Sequence, residues 1–541
     1  MRIGIDFDNT IARYDKLFIK IASKKGLLPK NWEGNKEKLR DFLLSFPKGK
    51  KVWMEIQSLV YGKYMQKAQL MPNVLNFFKL CEQRKYSLYI ISHKTEFGHF
   101  DTEKISLRKE ALKWMKSKKF FDQDFASFKK DNIFFANTRK QKVKIISHLK
   151  CDWFIDDLYE VFTEEKFPKN TKKILFGKIN NKHISNNIIN LSNWSDISDL
   201  ILGTITHEDI KILTNMFYKK STSKIKQISG RGNSRLYKMR TNKNNVYAIK
   251  YYPDLLVDSR PRLKTEFSTL NILHKKNITN VPKAIKKNED LNIGIYQWIE
   301  GNAIKKPNTE DLDQAINFVE KLKSISKKKK LKEIKLASEA CLSANELIRQ
   351  IDERYERLLK IKNNYPDLKR FLVNVFHPLW SKIREKNFYY WPISSRYKPL
   401  PMNKLILSPS DFGFHNCLKK NGKITFIDFE YFGWDDPVKL TADFIWHPSM
   451  ILKLYLIKKW NNSMKQIFSK DLDFQDRLKA SMPLYGMRWT MIILNEFLPE
   501  FFTRRKNVIK INSNNRDVYL KNQLEKAQIY CNRVRISFNS Y

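Results

Sequence analysis

Through about the first 200 residues, short apolar runs alternate with longer segments whose apolar positions recur at helical spacing. Five runs predict strands: Ile3 to Phe7, Ser87 to Ile91, Ile133 to Phe135, Trp153 to Ile155 and Lys173 to Phe176. Alternation of this kind predicts a parallel sheet covered by helices. Residues Tyr14 to Met71 interrupt it with a mostly helical excursion, broken near Pro29 and Pro47. So long an insertion between neighbouring strands predicts a separate cap. Past Asn187 the chain turns polar (SNNIINLSNWSDIS), then reads as a helix from about His207 to Lys219.

From Ile225 the pattern changes. A Gly-containing turn precedes paired strand-like runs at Arg235 to Arg240 and Val246 to Tyr252, a helix over Arg262 to His274, and another strand pair ending at Trp298. The rest, from about Asn308 to Tyr541, is largely helical apart from a β-like passage between Leu405 and Phe429, and no internal repeat is visible. These shifts predict one α/β domain over 1–205, with its cap at about 14–71, and a second, α+β domain over 206–541. The second divides into a smaller lobe at about 222–300 and a larger one at about 301–541.

Composition sharpens the picture in three ways. A length of 541 residues exceeds what one hydrophobic core organises, and 42% hydrophobic residues with 36 Phe argue against disorder. Five scattered Cys without a C-x-x-C pair argue against a zinc ribbon, a redox dithiol or a disulfide framework, and point to a reducing compartment. The first eight residues carry Asp6 and Asp8 where a secretory signal needs an apolar region, and no stretch reaches the ~18 apolar residues of a membrane span. A soluble cytoplasmic protein of undetermined oligomeric state is expected.

The net charge of +46 raises a nucleic-acid partner or a membrane surface. Lys is spread over nearly every segment beside Asn, Ile and Phe, as AT-rich coding produces, so compositional drift is the favoured reading and nucleic acid the minor one. The densest run, Lys327 to Lys330 with Lys332 and Lys335, reads as a solvated face.

Candidate chemistry begins with MRIGIDFDNT, where an apolar strand delivers Asp6 and Asp8 to its carboxyl end, the ligand-binding edge of a parallel sheet. There Asp6 can attack phosphorus while Asp8 gives a proton to the leaving group and takes one from water. An Asp-rich turn without function explains this motif alone equally well. Three further pieces follow in order: LYIIS ending at Ser92, the helix KVKIISHL with Lys142 at its start, and DWFIDD with Asp156 and Asp157. Together the four pieces resemble the haloacid-dehalogenase superfamily over residues 1 to about 200, which implies a Rossmann-like sheet. The resemblance gives Ser92 and Lys142 the role of phosphate anchors, with Lys140 and Lys144 as rivals of Lys142. It implies a Mg²⁺ site among Asp6, Asp8, Asp156 and Asp157, a metal that takes oxygen ligands. The carboxylate at Asp8 favours phosphate esters over carbon–halogen bonds, and the small helical cap implies a small soluble phosphomonoester. His93, Lys94 and His99 follow Ser92 as possible substrate contacts or merely exposed loop residues.

The second half has its own set. Gly230 and Gly232 in SGRGNSRLYKM suit a phosphate-covering loop or a plain hairpin. Lys250 in VYAIK, Glu266 in RLKTEFSTL and the segment YQWIEG follow in the order of a kinase Lys, its Glu partner and a hinge. In SPSDFGFHNCLKKNGKITFIDFEYFGWDDP, Asp411 and Asn416 have D-x-x-x-x-N spacing, and Asp428 ends the following strand. These residues resemble the aminoglycoside phosphotransferase and choline kinase superfamily over about 225 to 541, a bilobal kinase-like fold. By that resemblance Asp411 takes the acceptor proton, Asn416 and Asp428 hold Mg²⁺, and Gly230, Gly232, Lys250 and Glu266 serve ATP. Pro409 stands where the family usually has His, and Asp443 is expected to hold the catalytic loop. Absence of A-P-E disfavours a protein substrate, and absence of G-x-x-x-x-G-K-[ST] removes a P-loop kinase.

Taken together, the sequence predicts a bifunctional enzyme. Its phosphatase would use an aspartyl-phosphate, and its kinase would phosphorylate the hydroxyl of a sugar, amino sugar or amino alcohol, as in surface-polysaccharide or nucleotide-sugar metabolism. Two rivals remain: a regulatory or nucleotide-binding protein with one silent module, and nucleic-acid processing through the basic surface.

Overall fold

A computed structural model describes residues 1–29, 31–123, 125–177, 185–218, 222–228, 234–327, 331, 334–501 and 515–539. Gly230, Gly232, Lys328 to Lys330 and Lys332 lie outside the described residues. The chain forms two compact units, Met1–Ile225 with Pro253–Ser259 and Asn288–Asn292, and Lys226–Tyr252 with Arg260–Lys287 and Ile293–Tyr541.

The first unit is built on a six-stranded sheet in the order Ile133–Ala136, Ser87–His93, Arg2–Ile5, Trp153–Asp156, Lys172–Phe176, Ile188–Leu191. Every neighbouring pair is parallel. Ile3, Ile5 and Phe7 are fully buried, as an apolar central strand requires when both faces are covered. Gly4 lets the next strand close in: a Cβ there would stand 2.6 Å from the Phe154 ring.

The edge strand Ile188–Leu191 falls in the segment that reads as polar. Only Ile188 is buried in it, and Asn190 Nδ2 donates to the carbonyls of Leu175 and Gly177 at 2.9 and 3.0 Å. An edge held by backbone and amide bonds carries no apolar alternation to read.

The expected cap comprises the helices Asp15–Lys24, Lys36–Leu44 and Gly49–Tyr61, the last two separated at Lys48, whose φ is 63°. Phe18 stacks on Trp53 at 5.0 Å and meets the edge of Tyr61 at 5.8 Å. The insertion leaves and rejoins the sheet domain through a two-residue antiparallel ladder, Ala12–Arg13 against Gln69–Leu70.

The chain passes to the second unit within the strand Thr222–Ile228. That strand lies at the edge of a five-stranded sheet ordered Ala284–Asn288, Ile293–Gln297, Val246–Tyr251, Arg235–Thr241, Thr222–Ile228. The helix Arg262–Lys275 follows the third strand of the chain order. Beyond it, long helices predominate, among them Thr309–Ser326, Pro437–Trp446 and Phe474–Ile493. The β-like passage resolves into the strand Ile406–Ser408, paired with Gly433–Asp435, and a hairpin of Cys417–Lys420 with Lys423–Phe426.

A run of aromatic rings fixes this region. Phe318 lies on Phe426 at 4.2 Å, Phe412 contacts Phe426 at 5.5 Å and Phe444 at 5.6 Å, and Phe444 stacks on Trp460 at 4.0 Å. Such contacts add about 0.5–1.5 kcal/mol each beyond burial. Phe412 therefore anchors the backbone that carries Asp411. All five cysteines are free and buried. Among the described residues no helix is long and apolar enough to cross a membrane.

Candidate functional sites in the two units

In the first unit the carboxyl edge of the sheet gathers residues from four separate segments. Asp6 follows the central strand, Ser92 lies near the end of its neighbour, Asp156 ends the strand on its other side, and Lys142 sits in the helix Arg139–His148. Lys142 Nζ lies 2.5 Å from Asp6 Oδ1 and 2.6 Å from Asp156 Oδ2, with all three side chains almost wholly buried. Its rivals Lys140 and Lys144 are exposed, because only one of three alternate positions on that helix faces the sheet edge.

Ligand oxygens of Asp6, Asp156 and Asp157 lie within 4.8 Å of one another. Burial pushes the Asp6 carboxyl well above its usual range, Lys142 draws it back, and Asp156 and Asp157 push it further up. Burial also raises Asp157, with help from Asp156, to about 7. Three clustered carboxylates against one lysine leave an excess of negative charge, a donor set that fits a hard divalent cation. Ser92 Oγ is fully buried without a hydrogen-bond partner among the described residues, as is Thr10 Oγ1. A buried hydroxyl left so is costly unless a ligand satisfies it.

Asp8 stands outside that carboxylate group. Tyr14 donates to its Oδ1 at 2.6 Å, and Lys94, buried at 3% exposure, pairs with its Oδ2 at 2.8 Å. Asn9 donates to Asp157 Oδ2 at 3.0 Å and accepts from Lys36 of the cap at 2.9 Å. His93 and His99 are exposed. Sequence reading passed over Asn9, Tyr14 and Lys36. The first two sit inside or beside the MRIGIDFDNT motif, but nothing in the order of residues joins Lys36 to it.

In the second unit a chain of contacts links every described candidate. Lys250 Nζ bonds Glu266 Oε2 at 2.7 Å and Asp428 Oδ1 at 2.8 Å. Burial alone would lower Lys250; Asp428 and Glu266 hold it well above its usual value. Tyr252 donates to Glu266 at 2.6 Å, which fixes the carboxylate that holds the lysine. Next to Asp428, the Ile427 amide donates to the Asn416 carbonyl at 2.9 Å, and Asn416 Nδ2 donates to the Asp411 carbonyl at 2.9 Å. Asp428 has a φ of 69°, an unfavourable conformation held by these neighbours.

Glu266, Asp428 and Glu430 form a second group of carboxylates with oxygens within 4.8 Å. Glu430 is taken by Arg262 and by Ser234 at 2.9 Å. Glu266 is taken by Lys250 and Tyr252, which leaves Asp428, at 29% side-chain exposure, the most open carboxylate of the group. Asp443 reaches the loop through Lys439, which lies 3.2 Å from Asp443, 3.1 Å from Asp435 and 3.1 Å from Ser410 Oγ. Two residues that sequence reading did not single out, His415 and His447, contact Asp411 at 3.0 and 3.2 Å. Burial alone would raise the Asp411 carboxyl, yet these imidazoles hold it well below the carboxylate range.

No protein-family model matches the chain, and no curated protein does. Similar solved structures include an ADP-bound aminoglycoside phosphotransferase, 15% identical, covering 60% of this chain and 99% of its own, with a TM-score of 0.38. A spectinomycin phosphotransferase in complex with ADP and spectinomycin is 13% identical, covers 60% and 98%, and has a TM-score of 0.40. A choline kinase from Cryptosporidium parvum is 14% identical, covers 59% and 92%, and has a TM-score of 0.36. At these scores the likeness lends no weight to a function, which has to be read from the side chains themselves.

Proposed function

We propose that the chain is a bifunctional phosphoryl-transfer enzyme, a Mg²⁺-dependent phosphomonoesterase in its first unit and an ATP-dependent kinase of a small-molecule hydroxyl in its second. The observation that carries the reading is the same in both units. A buried lysine is held between carboxylates from distant segments, Lys142 between Asp6 and Asp156, Lys250 between Glu266 and Asp428. Such arrangements suit sites that must bind phosphate and cation together.

In the first unit Asp6 attacks phosphorus, the bond to the leaving oxygen breaks, and Asp8 supplies the proton that oxygen needs. Water then attacks the aspartyl-phosphate, gives its proton to Asp8, and releases phosphate with Asp6 restored. Lys142 and the Ser92 hydroxyl, unpaired among the described residues, hold the phosphoryl oxygens, while Tyr14 and Lys94 keep Asp8 oriented. The cap over this edge favours a small phosphomonoester.

In the second unit Lys250 holds ATP phosphates, Glu266 fixes Lys250, and Asp411 takes the proton as the acceptor oxygen bonds to the γ-phosphorus and ADP leaves. Mg²⁺, held by Asp6, Asp156 and Asp157 in one unit and by Asn416 and Asp428 in the other, would neutralise charge on the phosphoryl oxygens. A sugar, amino sugar or amino alcohol is the acceptor class proposed.

The test is mass spectrometry of a panel of phosphorylated metabolites and alcohols incubated with protein, Mg²⁺ and ATP. Asp6→Asn should abolish loss of a phosphomonoester and spare ATP-dependent phosphorylation; Asp411→Ala should do the reverse. Silence of the wild type across a broad panel, or loss of both activities in either variant, would overturn the reading.

A further inference from the structure

The two imidazoles on Asp411 come from different elements, His415 from the loop and His447 from the end of the helix Pro437–Trp446. Their rings lie parallel, 3.6 Å apart at 1°, and both Nε2 atoms point at one oxygen, Asp411 Oδ1. No described residue bonds Asp411 Oδ2. We propose that His447 and His415 are positioning residues that hold Asp411 through two hydrogen bonds to Oδ1, and so turn Oδ2 toward the attacking hydroxyl. The role of Oδ2 rests on the kinase reading of this unit; the hydrogen-bond pair does not.

Protonation follows from the neighbours. The Ser449 amide donates to His447 Nδ1 at 3.2 Å, so that nitrogen is an acceptor and the ring hydrogen is on Nε2, facing Asp411. His415 Nδ1 is buried without a partner among the described residues. A proton there would be a buried unsatisfied donor beside a second imidazole, which costs more than an unused lone pair. Nε2 of both rings is therefore the donor to Asp411 Oδ1. The same three side chains could offer atoms to a metal ion. Metal on both Nε2 atoms would need the His447 hydrogen moved to Nδ1, a position taken by the Ser449 amide. Trp489 closes the assembly, its ring meeting His447 edge-on at 4.7 Å and its Nε1 donating to Asp443 at 2.7 Å.

Two substitutions separate a hydrogen bond from packing. His447→Phe keeps a ring against His415 and Trp489 but removes the donor; His447→Gln keeps an N–H donor and removes the ring. With the full chain, Mg²⁺ and ATP, and water as acceptor, His447→Phe should lower kcat for phosphate release about ten- to a hundredfold with KM for ATP unchanged. His447→Gln should recover most of that loss. The opposite order, or wild-type rates in both, would overturn the proposal. With the first unit silenced by Asp6→Asn, phosphate release that persists in Asp411→Ala would instead sink the kinase reading. Nitrogen-15 NMR of His-labelled protein at pH 7 tests the pair without turnover: Nε2–H tautomers are expected at both positions. An Nδ1–H tautomer without a hydrogen on Nε2 at either would overturn it, as would one equivalent of zinc retained by the wild type and lost in His447→Gln.

Discussion

Lys142 Nζ lies 2.5 Å from Asp6 Oδ1, although 136 positions separate the two residues in the chain. Packing of the helix Arg139–His148 against the strands Ser87–His93 and Ile133–Ala136 creates that approach, and it sets one ammonium between two buried carboxylates.

Lys142→Met should therefore destabilise the first unit by about 3–5 kcal/mol, the usual loss when one partner of a buried ion pair is removed. Thermal unfolding with and without Mg²⁺ checks this. The cation should recover more stability in the variant than in the wild type, and an unchanged melting temperature would refute the charge argument.

Lys250→Met should reduce ATP turnover by about a hundredfold or more, since a preorganised cation on transferring phosphates is worth that much. Glu266→Gln, which loosens the lysine without removing it, should cost less. Steady-state kinetics with ATP measures both, and equal losses would show that Glu266 does more than hold Lys250.

Glu339 gives a pH dependence. Loss of hydration beside its neighbours would raise its carboxyl, but Arg354 at 2.5 Å and Arg488 at 2.9 Å pull it from 4.5 down to about 2. A carboxylate depressed in the folded state contributes stability above its unfolded value, and loses that contribution as pH falls from about 4.5 to about 2. Solvent screening trims the effect, because 43% of the side chain is exposed. Glu339→Gln should lower the melting temperature of the second unit at pH 7 and flatten its decline in that acid window. A variant with the same acid profile as the wild type would exclude Glu339 as a source.

Gly433 tests packing beneath the loop. A Cβ there would lie 2.4 Å from the Ala337 amide nitrogen and 2.6 Å from the Leu336 carbonyl carbon, both backbone atoms. Gly433→Ala should cost about 1–3 kcal/mol, measured by denaturant unfolding, because the strand must move rather than a side chain.

Much of this was legible in the chain because both sets of carboxylates follow short apolar strands, whose ends a sheet aligns. Five of the six strands of the parallel sheet, the four inner ones and the edge strand Ile133–Ala136, were visible as apolar runs for the same reason. Choosing Lys142 over Lys140 and Lys144 needed the register of the helix, which a short Lys-rich segment does not display. Lys36 and His447 reach their partners across folded distances with no local pattern to mark them, and Lys94, marked only as a loop residue after Ser92, is buried against Asp8. Tyr14 was hidden differently: read as the first residue of an insertion, it proves to be fully buried and bonded to Asp8.

The ladder of Ala12–Arg13 with Gln69–Leu70 places both connectors of the insertion side by side, like the hinge of a door, while Ser58 Oγ, which donates to the His99 carbonyl at 2.6 Å, and Lys63, paired with Glu103 at 2.5 Å, latch it to the segment after Ser92. A swing about those connectors would carry Lys36 away from Asn9 while every hydrogen bond of the parallel sheet stayed in place. The cost of admitting a molecule would then fall on those latches and on Lys36, and the rigidity that aligns Asp6 with Lys142 need never be surrendered.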